Sequence, residues 1–233
     1  MISEMFAHGF IQRAFIGGVL VSLCAALLGV SLVLKRYSMI GDGLSHVSFG
    51  ALSIAIAFGF APIKFSIPIV IIAAFFLLRL AENGKMKSDA AIAMVSASSL
   101  AIGVIVTSLT TGLSTDVCSY MFGSILAMSK DDVIFSVVLS VVVLIMFGFC
   151  YHRIFAVTFD ESLSKATGVK VGMYNTLISI FTAVTVVLGI KMMGAMLISS
   201  LIIFPALTSM RVFKSFLSVT ICSAILAVIN FTA

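Results

Sequence analysis

Long apolar runs, separated by short polar stretches, occupy the chain from end to end. About 20 consecutive apolar residues are enough for a helix to cross the hydrocarbon core of a bilayer. We therefore predict an all-α fold, a polytopic transmembrane helix bundle with about eight spans. The predicted spans are residues 10–34, 41–60, 62–80, 90–109, 133–150, 171–190, 192–210 and 216–231.

Two places interrupt this regular pattern. The apolar run from Cys118 to Met128 covers only about half a membrane, which predicts a re-entrant or interfacial helix. Lys191 separates two apolar runs with a single residue, which is too short for an ordinary hairpin. A bent or discontinuous helix around Lys191 and Pro205 is an equal alternative there.

The composition supports a membrane protein. Hydrophobic residues make up 61% of the chain and charged residues 10%, whereas roughly a quarter of the residues in a soluble domain are charged. The formal net charge of +5 comes from basic residues that lie between the apolar runs. We therefore interpret them as topology signals and expect no nucleic-acid partner.

The distribution of basic residues predicts the orientation. With the N-terminus outside, ten Lys and Arg residues fall on the inner side and four on the outer side, which favours this topology over its inverse. It requires that the 118–128 segment does not cross. The inner set is Lys35, Arg36, Arg79, Lys85, Lys87, Arg153, Lys165, Lys170, Arg211 and Lys214, and the outer set is Arg13, Lys64, Lys130 and Lys191.

An acidic residue and a histidine stand four positions apart at the start of the second span. On a helix, Asp42 and His46 share one face and could converge on one ion. The alternative is structural, with Asp42 as the helix N-cap and His46 bonded to a neighbouring helix. Spacing alone leaves both open. The pair also lies close to the cytoplasmic end for a transport site, and we expect Gly41 and Gly43 to mark a helix break that places it deeper.

The inner connection between the fifth and sixth spans has its own pattern. Asp160 and Glu161 lie near the start of a predicted short helix, Leu163 and Ala166 lie on one side of it, and Gly168 is its predicted C-cap. An ordinary solvated loop is the alternative. The connection is longer than bundle loops usually are, which favours a functional segment that could dock on a motor subunit.

Motifs for catalysis or nucleotide binding are missing from the sequence. Gly84 and Lys85 lack the rest of a phosphate-binding loop, and no CxxC, HExxH or GxSxG occurs. We predict that the chain is not an enzyme, that it has no catalytic residues, and that ATP hydrolysis belongs to a separate subunit.

The segment Ser-Leu-Val-Leu-Lys-Arg-Tyr-Ser-Met-Ile-Gly-Asp-Gly-Leu-Ser-His (31–46) resembles the signature of ABC-transporter permeases that import zinc, manganese or iron. Further matches cover nearly the whole chain in order. They lie at residues 88–92, 100–104, 120–126, 159–169, 194–198 and 204–206.

This resemblance implies a function and a set of partners. It implies a homodimeric permease in the bacterial cell (inner) membrane, surrounded by lipid, with the pathway between the two copies. It also implies a cytoplasmic ATP-binding subunit that contacts the 159–169 helix and an extracellular metal-binding protein that delivers the ion. The implied metal ligands are Asp42 and His46. The residues expected to couple to the ATPase are Phe159, Asp160, Glu161, Leu163, Ala166 and Gly168.

The zinc branch of the family is the most similar, with manganese or iron import as the alternative and no permanently bound cofactor. A different class, an ion-coupled secondary transporter, usually carries several acidic residues within its spans, and here Asp42 is the only clear candidate. We expect one permease domain over residues 1–233. Family members usually continue beyond the position of Phe231 into a further hairpin, so the chain is either truncated or short by nature.

Overall fold

The structure is a computed structural model that describes residues 9–37, 39–82, 88–110, 123 and 130–232. Within these ranges every regular element is a helix, which confirms the all-α prediction. The helices are α1 (Gly9–Leu34), α2 (Ile40–Ala57), α3 (Pro62–Glu82), α4 (Ser88–Leu109), α5 (Lys130–Phe149), α6 (Tyr151–Phe159), α7 (Glu161–Ala166), α8 (Val171–Met193), α9 (Ala195–Val212) and α10 (Phe216–Thr232).

Eight of these helices coincide with the eight predicted spans. In the described part of the chain, α1, α2, α4, α8 and α9 are each long and apolar enough to cross a membrane. A sixth crossing is obtained if α5 and α6, which meet at a 75° bend, count as one broken span. The apolar segments of α3 and α10 are shorter, Lys64–Leu77 and Phe216–Thr232.

Helix α1 forms the centre of the bundle. It packs against α5, α8, α9 and α10, and the run from Cys24 to Leu32 is buried. Small residues in a helix allow neighbouring helices to pack this closely. A Cβ atom on Gly29 would lie 2.1 Å from the carbonyl oxygen of Ile202 in α9, so the two backbones touch there.

The break after the sixth span falls at Gly194. This residue alone separates α8 from α9 and has a positive φ of 85°, a conformation open to glycine. Helix α9 then packs back on α8, because Ile198 lies against Gly189. Lys191 is inside α8 and Pro205 is inside α9, so neither breaks a helix.

The predicted half-membrane segment, residues 118–128, lies outside the described residues except for Gly123. The backbone at Gly123 closely approaches the α8–α9 junction, since a Cβ atom there would lie 2.4 Å from the Gly194 nitrogen.

One end of the bundle gathers the end of α1, the helices α6 and α7, and the start of α8. The positive-inside rule predicts that this end faces the cytoplasm, because Lys and Arg residues gather here. The described basic residues at this end include Lys35, Arg36, Arg153, Lys165, Lys170, Arg211 and Lys214.

Candidate functional site

Helix α2 carries the ionisable pair and is otherwise enclosed by the bundle. It packs against α3, α4, α8 and α9. Every residue from Ile40 to Ser53 is buried except Asp42 and His46. Their side chains are 42% and 25% exposed. Between Ile40 and Ser53, only the carboxylate of Asp42 and the imidazole of His46 are therefore accessible from outside the chain.

The two side chains stand close together without a hydrogen bond between them. His46 Nε2 lies 3.7 Å from Asp42 Oδ2, whereas N–H···O hydrogen bonds end near about 3.2 Å. An ion bound to both atoms at about 2.1 Å with a tetrahedral angle would hold them about 3.4 Å apart. A small side-chain rotation therefore allows both atoms to reach one cation.

The structural alternative for Asp42 does not hold. The N-cap of α2 is Met39, no side chain caps the helix, and Asp42 lies in the first turn. Within the described residues, neither Asp42 nor His46 donates or accepts a side-chain hydrogen bond. Both groups are therefore available to a ligand.

The expected helix break at Gly41 and Gly43 is wrong, because α2 is continuous from Ile40. Both glycines instead allow close packing. A Cβ atom on Gly43 would lie 2.5 Å from the side chain of Ile92 in α4, and one on Gly41 would lie 3.1 Å from Ile202 in α9. These contacts hold the first turns of α2 against its neighbours and so fix the direction in which Asp42 and His46 point.

The Asp42–His46 pair has no third candidate metal ligand beside it among the described residues. Across the described ranges, no group of three or more His, Cys, Asp or Glu residues lies close enough to bind a metal ion. A two-fold axis beside α2 would add a second aspartate and a second histidine. Four nitrogen and oxygen ligands match the tetrahedral coordination that zinc prefers.

Helix α7 starts at Asp160 and Glu161, as the sequence predicts, but its C-cap is Thr167 and the predicted C-cap Gly168 is the next residue. Asp160 is its N-cap and accepts a 2.9 Å hydrogen bond from the backbone N–H of Leu163. At the other end Gly168 has a φ of 81°. The N–H of Gly168 bonds to the carbonyl of Lys165, and that of Val169 bonds to the carbonyl of Ser164, the pattern of a Schellman C-cap.

A partly buried ion pair connects α7 to the rest of the bundle. Lys35 Nζ donates a 2.7 Å hydrogen bond to Glu161 Oε1 and a second bond to Asn175 Oδ1. The Asn175 amide nitrogen donates a 3.0 Å bond to the same Glu161 oxygen. The Lys35 side chain is only 7% exposed. The end of α1, helix α7 and the first turns of α8 are thus joined through three polar side chains.

These contacts keep Glu161 ionised. Burial raises the pKa of its carboxyl, but the hydrogen bonds from Lys35 and Asn175 and the charges of Lys35 and Lys165 outweigh burial. The pKa therefore lies below its usual range.

The predicted coupling residues fall into two groups in the structure. Phe159, Leu163 and Ala166 are exposed, the first two at 60% and 62%, so they are available to a partner. Asp160, Glu161 and Gly168 shape or anchor α7 instead. Sequence reasoning missed Lys35 and Asn175, since Lys35 was read as a topology signal and Asn175 lies inside an apolar run.

Comparison with known proteins points to one family. Residues 7–233 match the model of the ABC 3 transport family. The high-affinity zinc uptake system membrane protein ZnuB of Buchnera aphidicola is 31% identical, over 94% of this chain and 84% of the relative. The manganese import system permease protein ScaB of Streptococcus gordonii is 28% identical, over 93% of this chain and 78% of the relative.

The fold is shared with a solved structure. PsaBC from Streptococcus pneumoniae, solved in complex with a Fab, superposes with a TM-score of 0.82 at 27% identity, over 98% of this chain and 84% of that chain. The family match extends over nearly every residue, including α2 with its ionisable pair and α7 with its caps. The chain is therefore a member of the ABC 3 transport family.

Proposed function

We propose that this chain is the membrane-spanning permease subunit of an ATP-driven importer of divalent transition metal ions in a bacterial inner membrane, with zinc as the preferred ion. One observation carries the proposal. Asp42 and His46 are the only incompletely buried residues between Ile40 and Ser53, and their facing atoms are 3.7 Å apart.

The exposure of this pair argues for a second copy of the chain. A carboxylate in a membrane-spanning segment is costly when it faces lipid, so such groups face a bundle interior, a partner or a water-filled path. In a homodimer with α2 near the two-fold axis, two aspartates and two histidines would line a shared conduit. Four ligands would bind the ion, and their division between two mobile copies would let it leave.

Zinc is preferred over manganese on chemical grounds. Two imidazoles and two carboxylates suit tetrahedral zinc, whereas manganese favours octahedral, oxygen-rich sites. The relatives include both kinds of protein, a zinc uptake membrane protein at 31% identity and a manganese import permease at 28%. Manganese is therefore the second candidate.

The energy would come from a separate ATP-binding subunit on the cytoplasmic side. The exposed side chains Phe159, Leu163 and Ala166 would contact that subunit. Movement of α7 would reach α1 through the Glu161–Lys35 pair, and Lys35 precedes Asp42 by only seven positions. An extracellular metal-binding protein would deliver the ion to the opposite side.

Uptake of radioactive zinc by cells or proteoliposomes that contain the full transporter tests the site. The variants Asp42→Ala and His46→Ala should reduce uptake at least about tenfold, since each removes one of two ligands per copy. His152→Ala is the matched control, because His152 is exposed on α6 and should be neutral. Wild-type uptake by both α2 variants would disprove the site.

Two further measurements separate the alternatives. Competition of radioactive zinc uptake by excess zinc, manganese or iron(II) identifies the transported ion. If manganese competes more strongly than zinc, manganese is the transported ion. Uptake that continues without ATP and responds to a proton or sodium gradient would instead indicate a secondary transporter.

A further inference from the structure

A basic cavity lies between α6 and the residues that lead into α8. Its volume is about 410 Å³, and its wall includes Arg153, Thr167, Lys170, Met173 and Tyr174. Two of these side chains are cations, and no carboxylate lines the cavity in the described part of the chain. The cavity therefore carries a local positive charge that no described residue of its wall neutralises.

The guanidinium of Arg153 is held in place. Its Nη1 atom donates a 2.9 Å hydrogen bond to the hydroxyl of Tyr174, and Tyr174 is only 3% exposed. An arginine has five N–H donors in a rigid fork. One donor is used to fix the group, and the remaining ones are suited to a planar or tetrahedral oxyanion.

The cavity lies at the expected depth of lipid headgroups. Helix α6 turns away from α5 by 75°. It packs Ile154 and Val157 into the bundle and leaves Arg153 and the aromatic ring of Phe155 exposed. A short helix that exposes both a basic and an aromatic side chain is suited to a membrane surface. Lys170 immediately precedes the long apolar helix α8, so the cavity sits where the hydrocarbon core begins.

We propose that this cavity binds the phosphate of an anionic lipid from the inner leaflet. Arg153 would hold two phosphate oxygens, as a guanidinium does with oxyanions, and Lys170 would supply the second charge. The exposed thioether side chain of Met173, 49% accessible, would lie against the glycerol or the first acyl carbons.

The neighbouring cavity is a weaker candidate for the same ligand. It has a volume of about 310 Å³ and is lined by Lys35, Glu161 and Lys165 among others. Its carboxylate already neutralises Lys35 at 2.7 Å and would repel a phosphate. The absence of such a carboxylate distinguishes the Arg153–Lys170 cavity.

The test measures lipid binding to the full chain purified in detergent. Phosphatidylglycerol, phosphatidylcholine and inorganic phosphate are titrated separately, with bound lipid counted by native mass spectrometry and the melting temperature followed in parallel. The wild type should bind phosphatidylglycerol in preference to phosphatidylcholine, and millimolar inorganic phosphate should not displace it. Arg153→Gln and Lys170→Gln should each weaken binding about fivefold, and the double variant about 30-fold, at roughly 1 kcal/mol per interfacial charge.

Matched controls come from the same end of the protein. Arg211→Gln and Lys214→Gln remove an exposed arginine and an exposed lysine that do not line the cavity, and they should leave the affinity unchanged. Equal losses in these controls would show general surface attraction and overturn the site.

The lipid and phosphate titrations of the wild type test the proposal even if a cavity variant fails to fold. Equal binding of the neutral and anionic lipids would refute the proposal, and so would displacement by inorganic phosphate, which would assign the cavity to a free anion.

Discussion

The pair between Lys35 and Glu161 allows a sharp test of how α7 is connected to the bundle. The perturbation is Glu161→Gln, which removes the charge but keeps the shape, together with the exchanged double variant Lys35→Glu/Glu161→Lys. Asn175 should tolerate the exchange, because its amide both donates and accepts and can turn over.

The expected loss of stability follows from the distance between the charges of Lys35 and Glu161 and from the exposure of their side chains. At 2.7 Å, Coulomb attraction is about 6 kcal/mol at an effective dielectric constant of about 20 and about 1.5 kcal/mol in water. The Glu161 side chain is 34% exposed and the Lys35 side chain 7%, so the lower part of this range applies once screening and desolvation are included. We expect Glu161→Gln to cost about 2 kcal/mol, chiefly because Lys35 loses its counter-charge.

The assay compares thermal stability with the coupling of the assembled transporter. Wild type, Glu161→Gln, Lys35→Met and the exchanged double variant are reconstituted with the ATP-binding subunit, and metal uptake per ATP hydrolysed is measured. Each single variant should lower this ratio several-fold, and the exchanged pair should recover most of it. Ser162→Ala, on the exposed side of the same helix, is the control and should behave as wild type.

Two results would refute the reasoning. If the exchanged pair is as impaired as the single variants, attraction between the two positions is not what matters. If the single variants melt earlier but keep a normal uptake ratio, the pair stabilises the fold without transmitting movement.

Three further predictions follow from packing, charge and exposure. Gly50→Ala should destabilise the chain by about 1–3 kcal/mol, because the added methyl would lie 2.7 Å from the carbonyl oxygen of Ser99; Gly148→Ala, with open space around it, should cost nothing in the same melting experiment. The lowered pKa of Glu161 means that its stabilisation is complete above the usual carboxyl pKa of about 4.3 and is lost as the pH falls through the lower folded value. The melting temperatures of wild type and Glu161→Gln should therefore differ by a constant amount between about pH 6 and 8 and converge in acid; a gap that persists in acid would contradict this. Leu163→Asp should leave the melting temperature unchanged, since Leu163 is 62% exposed, but should reduce co-purification of the ATP-binding subunit, and undiminished co-purification would assign Leu163 to solvent.

Much of the fold could be predicted because lipid imposes a simple rule on sequence. Each long apolar run is a helix close to its expected bounds, and the ends of α7 lie within one residue of those predicted from Asp160 and Gly168. Helix ends depend on local backbone chemistry, which a short stretch of sequence contains in full.

The errors and omissions concern contacts between distant segments. Lys35 and Glu161 are 126 positions apart, and no local pattern indicates that they meet. Gly41 and Gly43 were expected to break α2, since glycine weakens a helix. In the structure they serve close approach to α4 and α9 instead, and that role depends on neighbours that one segment of sequence cannot specify.

The candidate site itself was partly accessible from sequence. The spacing of Asp42 and His46 indicated a shared helix face, and the structure keeps both groups unbonded and close. The sequence could not show that they are the only incompletely buried residues between Ile40 and Ser53. Their exposure depends on how four neighbouring helices pack against α2.

The opening beside Asp42 has a genetic consequence if the proposed dimer is correct. If each copy carries half of the metal site, one inactive copy inactivates every dimer that contains it. Random pairing of equal amounts of wild-type and Asp42→Ala chains would leave only about one assembly in four with both halves intact. Co-expression should then reduce metal uptake to well below half of the wild-type value. If each chain instead contained a complete conduit, uptake would fall only to about one half.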